Sequence, residues 1–95
     1  MLTAVTLIQA TRDGLAQLGP ALAAAHGVSE VYTVAGEWDF VVIIRVRQHD
    51  ELASVVMQGL SHLDGIQRTE TMVAFQQFSR HDLEALFGVG LEGGQ

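Results

Sequence analysis

Cysteine and lysine are both missing from the 95 residues, and proline, tryptophan and tyrosine occur once each. Without cysteine there is neither a disulfide framework nor a thiolate metal site. Without lysine, positive charge rests on Arg12, Arg45, Arg47, Arg68 and Arg80, scattered along the chain and opposed by eleven acids. Affinity for nucleic acid comes largely from cations that neutralise phosphates. A net charge of −6 with no basic stripe therefore argues against direct DNA binding. No apolar run reaches the about 20 residues of a membrane span. The start of the chain also lacks the basic segment, apolar stretch and small-residue cleavage site of a secretory signal. A soluble, cytoplasmic protein is expected.

What the chain does hold is apolar material. Fully 48% of its residues are hydrophobic and its mean hydropathy is positive. A domain of this size buries only about 60–65% of the surface its unfolded chain exposes. So much apolar surface in so small a domain implies that copies of the chain cover one another.

The elements follow from periodicity. Leu2 to Ala10 is rich in Thr, Val, Leu and Ile and reads as a strand, broken at Thr11-Arg12-Asp13-Gly14. Leu15, Leu18, Leu22 and Ala25 recur at helical spacing, with Pro20 expected to kink that helix or mark its first full turn. Gly27 suits the left-handed position that closes it. Val28 to Val34 is a second strand, and Ala35 to Asp39 a short turn. Phe40 to Val46 is the most β-prone run, and its five consecutive large apolar residues must be covered on both faces. It belongs at the centre of the sheet. Asp50 is expected to cap a second helix carrying Leu52, Val55, Val56, Leu60 and Leu63 on one stripe. Ile66 to Gln77 is a fourth strand. Ser79 with Asp82 resembles a capping box for a short third helix with Leu83, Leu86 and Phe87, followed by a Gly-rich tail.

This β-α-β-β-α-β order predicts an α+β, ferredoxin-like fold with a four-stranded antiparallel sheet and a short C-terminal helix. Right-handed crossovers place both helices on one side of that sheet. On the fourth strand, Thr69, Thr71, Val73 and Phe75 should share one face, and Ile66, Met72 and Ala74 the other. Neither face is polar enough for water, so a second subunit should cover the helix-free side and form a dimeric α/β barrel. Residues 1–79 would form the folded domain, and 80–95 a helix and tail.

The segment Val28-Ser29-Glu30-Val31-Tyr32-Thr33-Val34-Ala35-Gly36-Glu37-Trp38-Asp39-Phe40 resembles the effector domain of the Lrp/AsnC, or feast/famine, transcription regulators. So does Asp64-Gly65-Ile66-Gln67-Arg68-Thr69-Glu70-Thr71, with Asp64 where that family usually has proline. The likeness covers residues 2 to 79 and implies the stand-alone form of the domain, without the helix-turn-helix reader. It further implies sheet-to-sheet dimers that assemble into octamers or decamers, with a free amino acid bound between dimers. The ligand-binding positions it implies are Gly36, Trp38, Asp39, Thr69 and Thr71. Trp38 stands where the family usually has tyrosine. The chemistry fits a zwitterion: Asp39 offers an acceptor for the ammonium. Backbone N–H groups near Gly36 and the hydroxyls of Thr69 and Thr71 offer donors for the carboxylate, and Trp38 a wall.

Each residue also has a plainer role. Gly36 serves equally as a turn glycine, Asp39 as a turn acceptor, Trp38 as a packing anchor, and Thr69 and Thr71 as strand formers. His26, His49, His62 and His81 have no metal-ligand spacing, and no carboxylate pair is placed for acid–base work. No catalytic residue, metal or cofactor is expected. Gly14 and Gly19 lack the lysine and hydroxyl of a phosphate loop. Arg68 and Glu70 are either solvated or paired across a subunit contact. Two alternatives stay open beside the amino-acid sensor. One is a small enzyme, a cofactor-free oxygenase or isomerase, on a dimeric ferredoxin-like barrel. The other is an assembly partner of full-length Lrp/AsnC regulators.

Overall fold

Alternation of side chains decides where the core forms. In the computed structural model, which describes residues 1–78 and 80, β1 (Leu2–Ala10) buries Ala4, Thr6, Ile8 and Ala10 and leaves the residues between them half-buried. β3 (Phe40–Val46) buries Phe40, Val42, Ile44 and Val46, with Val41 and Ile43 half-buried and Arg45 exposed between them. These residues meet Leu18 and Leu22 of α1 (Leu15–Ala24), Leu52 of α2 (His49–Ser54), and Val55 and Leu60 just beyond it in one core. Burying a side chain such as Leu22 or Phe40 completely contributes about 1.5–3 kcal/mol.

With β2 (Val28–Thr33) and β4 (Ile66–Val73) the sheet has the order β2-β3-β1-β4, and every neighbouring pair is antiparallel. The ferredoxin-like α+β arrangement expected from the element order is the one observed, with both helices packed on one side of the sheet. The expected third helix rests on residue 79 and residues 81–95, which lie outside the described residues.

Several expectations need correction. The second helix is not one stripe of α-helix. It passes from α2 into a π-helical turn, Val55–Gly59, and then a 3₁₀ turn, Leu60–His62. Asp50 does not cap it; Gln48 holds the cap position without a side-chain bond, and the Glu51 carboxylate accepts from the Arg47 N–H at 3.2 Å. Leu15 lies exposed rather than on the buried stripe of α1, and the helix runs through Pro20. β2 stops at Thr33 because the Val34 N–H turns to the Asp39 carbonyl at 3.0 Å and closes the hairpin. β4 stops at Val73, four residues early: Val73 pairs with Ala4, and the Ala74 N–H makes a last bond to the Thr3 carbonyl. Ile66 changes face. A bulge between Gln9 and Ala10 in the β1–β4 register sets Ile66 opposite Ala10 on the helix side. An extra residue in one strand inverts every position beyond it.

The helix-free face is apolar at its centre. Val5 pairs with Ile43 and Leu7 with Val41 on the two middle strands, and all four lie on the side away from the helices. Glu30, Tyr32 and Arg45 border this patch towards β2. Gln9, Arg68 and Glu70 border it towards β4.

Candidate functional site

The hairpin between β2 and β3 is fastened to the end of β1 by Asp39. Its Oδ2 accepts the Ala10 N–H at 2.8 Å, and its own N–H donates to the Ile8 carbonyl at 2.9 Å. A charge-assisted bond of this kind is stronger than a neutral one. Asp39 therefore anchors another strand rather than its own turn, and its second oxygen has no hydrogen-bond partner among the described residues. The Gln9 side chain donates to the Glu37 carbonyl at 2.7 Å and draws the loop further across the sheet. Gly36 has φ +124°, a conformation that L side chains rarely adopt, and its α-carbon faces open space.

Trp38 lies over Arg68 of β4, with the guanidinium carbon 4.5 Å from the ring centroid. The electron-rich face of an indole attracts such a cation. Arg68 also reaches Glu37 at 3.4 Å, a long and exposed ion pair of little energetic weight. Sequence reasoning misses Arg68 as the residue that ties the hairpin to β4, although a cation sharing a site with an aromatic is a signal available there. Within the protomer its carboxylate partner is Glu37.

Thr69 and Thr71 lie elsewhere. In the β4 register they oppose Ile8 and Thr6, so they face the helix side, whereas Arg68 opposes Gln9 and faces away from the helices. The hydroxyls of Thr71 and Thr6 share a hydrogen bond of 2.9 Å, and Thr6 is the one fully buried polar side chain among the described residues. Thr69 and Thr6 border a groove of about 390 Å³ between the π-helical turn and the start of β4. The five expected ligand positions therefore form two groups: Gly36, Trp38 and Asp39 with the hairpin, and Thr69 and Thr71 on the helix side of β4, where Thr69 borders the groove and Thr71 bonds to Thr6.

At the far end of the sheet, the Glu30 carboxylate accepts from the Tyr32 hydroxyl at 2.6 Å and from Arg45 at 3.1 Å. These bonds hold the Glu30 carboxyl below the ordinary glutamate range. The same bond to Glu30 raises the Tyr32 phenol. Both groups are solvated, so the cluster is a surface network rather than a catalytic pair. No group of His, Asp and Glu able to hold a metal occurs among the described residues. No helix among them is long and apolar enough to cross a membrane.

Comparison with known proteins agrees with this geometry. The family model for the Lrp/AsnC ligand binding domain matches residues 2–83. An uncharacterized HTH-type transcriptional regulator of Pyrococcus furiosus is 38% identical over 76 residues, covering 77% of this chain and 51% of its own length. The chain thus spans about half the length of the curated relatives it matches. Among solved structures, TTHA0845 from Thermus thermophilus is 41% identical with a TM-score of 0.79, over 84% of this chain and all of that one. A transcriptional regulator from Neisseria meningitidis, NMB0573 in complex with L-Met, is 14% identical over 83% of this chain and 53% of its own, with a TM-score of 0.74, and shares the fold alone. The matched segment, the β2-β3-β1-β4 sheet and the hairpin bound to β1 place this chain in the Lrp/AsnC ligand-binding domain family of transcription regulators.

Proposed function

We propose that this domain is a non-catalytic sensor that binds a free amino acid at a contact between copies of itself. Its occupancy would bias assembly, and through assembly the regulation of transcription or metabolism. The observation that carries the reading is the split of the candidate site. Asp39 and Trp38 belong to the hairpin and Thr69 to the helix side of β4, an arrangement that favours a ligand held between one group from each of two protomers. A site completed only by association couples binding to assembly, because the ligand then favours the associated state by its differential affinity.

The sheet supports the same reading. Val5, Leu7, Val41 and Ile43 form an apolar centre with a charged border, the anatomy of a protein interface. We assign this face to the dimer, with octamers or decamers as the higher assembly. An enzyme would need a base in a sheltered cavity, and the fully buried polar group among the described residues is a threonine hydroxyl. The structural neighbour in complex with L-Met makes an amino acid the first ligand class to try. A match of 38% identity to about half the length of an HTH-type regulator also makes mixed assembly with longer family members a reading to test.

The single tryptophan supplies the test. Trp38 sits at the proposed contact, so its fluorescence and the heat of binding should both respond as amino acids are added, with light scattering reporting mass. Saturable binding with a change of assembly is expected. Silence from all twenty amino acids at millimolar concentration would refute the reading.

A further inference from the structure

Positive charge gathers at the pole of the sheet opposite the hairpin. β1 begins there, β3 ends, and β2 starts just after the turn at Gly27. A cleft of about 450 Å³ opens between these ends, and His26, Ser29, Arg45, Arg47 and Glu51 stand on its walls. Two of the five arginines thus share one cleft in a chain of net charge −6. The length of β3, about 20 Å at ~3.3 Å per residue, separates it from Trp38 and Asp39. A bulge shapes the wall. The β2–β3 register shifts between Val28 and Glu30, so Ser29 is the extra residue of β2. Bulges re-aim a side chain and often do so beside functional sites. Here the Ser29 hydroxyl meets Nη1 of Arg45 at 2.7 Å. Arg45 donates to Glu30 at 3.1 Å through the same Nη1, so its Nη2 and Nε have no hydrogen-bond partner among the described residues. The Arg47 guanidinium makes no ion pair among those residues. Glu51 brings a carboxylate to the cleft, but its Oε1 turns to the Arg47 N–H at 3.2 Å.

We propose that this cleft is a second ligand site, which binds the phosphate group of a small phosphate monoester such as a mononucleotide. It is independent of the amino-acid reading and of the groove at β4. Two guanidinium forks and a serine hydroxyl suit a tetrahedral dianion, which accepts several charge-assisted bonds at once. His26 adds a ring N–H donor in either charge state. The cleft holds more than a bare phosphate and lies in the size range of small-molecule pockets, with Gly27 and Val28 beside the remainder of the ligand. Phosphate carried on nucleic acid fits less well, because a chain of charge −6 repels a long polyanion.

The test is calorimetric titration of the full chain, at constant ionic strength, with adenosine monophosphate, inorganic phosphate, adenosine and a short DNA duplex. Adenosine monophosphate should bind saturably at millimolar concentration or below, inorganic phosphate more weakly, and adenosine and the duplex not at all. R47Q should weaken the binding about fivefold or more, the effect of one lost charge-assisted contact. R12Q makes the same change of charge beyond the other end of β1 and should alter it less than about twofold. Arg47 is exposed, so its substitution does not threaten the fold. In NMR spectra the amides of Gly27, Ser29 and Arg47 should shift on binding, and those of Gly36 and Asp39 should stay. The proposal is overturned if adenosine monophosphate does not bind, or if adenosine, inorganic phosphate or the duplex binds as tightly. It is equally overturned if R12Q weakens binding as much as R47Q, or if the shifts fall on the hairpin. None of these results bears on the amino-acid reading.

Discussion

Val41 stands at the centre of the uncovered sheet face, with Leu7 beside it on β1 and Tyr32 on β2. Its neighbours in sequence, Phe40 and Val42, are the ones that enter the core. Val41→Asp therefore leaves the helix-side packing intact and costs the protomer about 1 kcal/mol in strand preference. The dimer is affected far more. In a two-fold contact the substitution appears twice. Each copy loses about 1.5 kcal/mol of valine burial. Each must also desolvate an unpaired carboxylate, at a penalty of several kcal/mol. Together these exceed about 5 kcal/mol, which weakens association more than about 10³-fold. Sedimentation velocity reads the loss of mass, circular dichroism confirms that the fold survives, and Val41→Ile serves as a control that keeps the dimer. A folded Val41→Asp protein with the parent's mass would refute the assignment of this face.

Three further outcomes follow from individual contacts. Asp39→Ala removes the acceptor for the Ala10 N–H and should lower stability by about 1–3 kcal/mol in chemical denaturation, with Asp39→Asn milder because it keeps an oxygen; equal stability for all three would show that the anchor is idle. Gly14→Ala would set a methyl 2.6 Å from the Gly65 α-carbon and should destabilise severely, whereas Gly59→Ala meets nothing within 4 Å. The latter should raise stability by about 0.5–1 kcal/mol, because glycine inside a helix costs conformational entropy, and thermal melts that rank the two the other way would contradict the packing described. Glu30 has a depressed native pKa, so its contribution to stability is complete above the ordinary glutamate range and is lost as pH falls through the native value. Tyr32→Phe should move the Glu30 titration, followed by carboxyl NMR, up towards the ordinary range; an unmoved titration would show that the phenol does not hold it.

Much of the fold was legible because it rests on local pattern. β1 and β3 fall on the expected residues since their alternation and β-branched content leave few other options. What failed depended on distant partners. The end of β4 is set by where its pairing with β1 ceases, and the face of Ile66 by a bulge that no local pattern announces. Apolar spacing in Leu52 to Leu63 reads as one helix, yet the backbone passes through three helix types to bring Leu60 into the core. In the candidate site, residue types were readable and their grouping was not. Alternation along β4 separates Thr69 from Arg68, and the bond from Ala10 to Asp39 spans 29 positions.

One set of helices leaves an apolar sheet face uncovered, and a second copy of the chain is the cover assigned to it. The mass of the unmodified chain in dilute buffer at low micromolar concentration, measured by sedimentation velocity, tests this most directly. A dimer or a closed multiple of dimers is predicted, with no free protomer at equilibrium. A stable, folded single copy would contradict it.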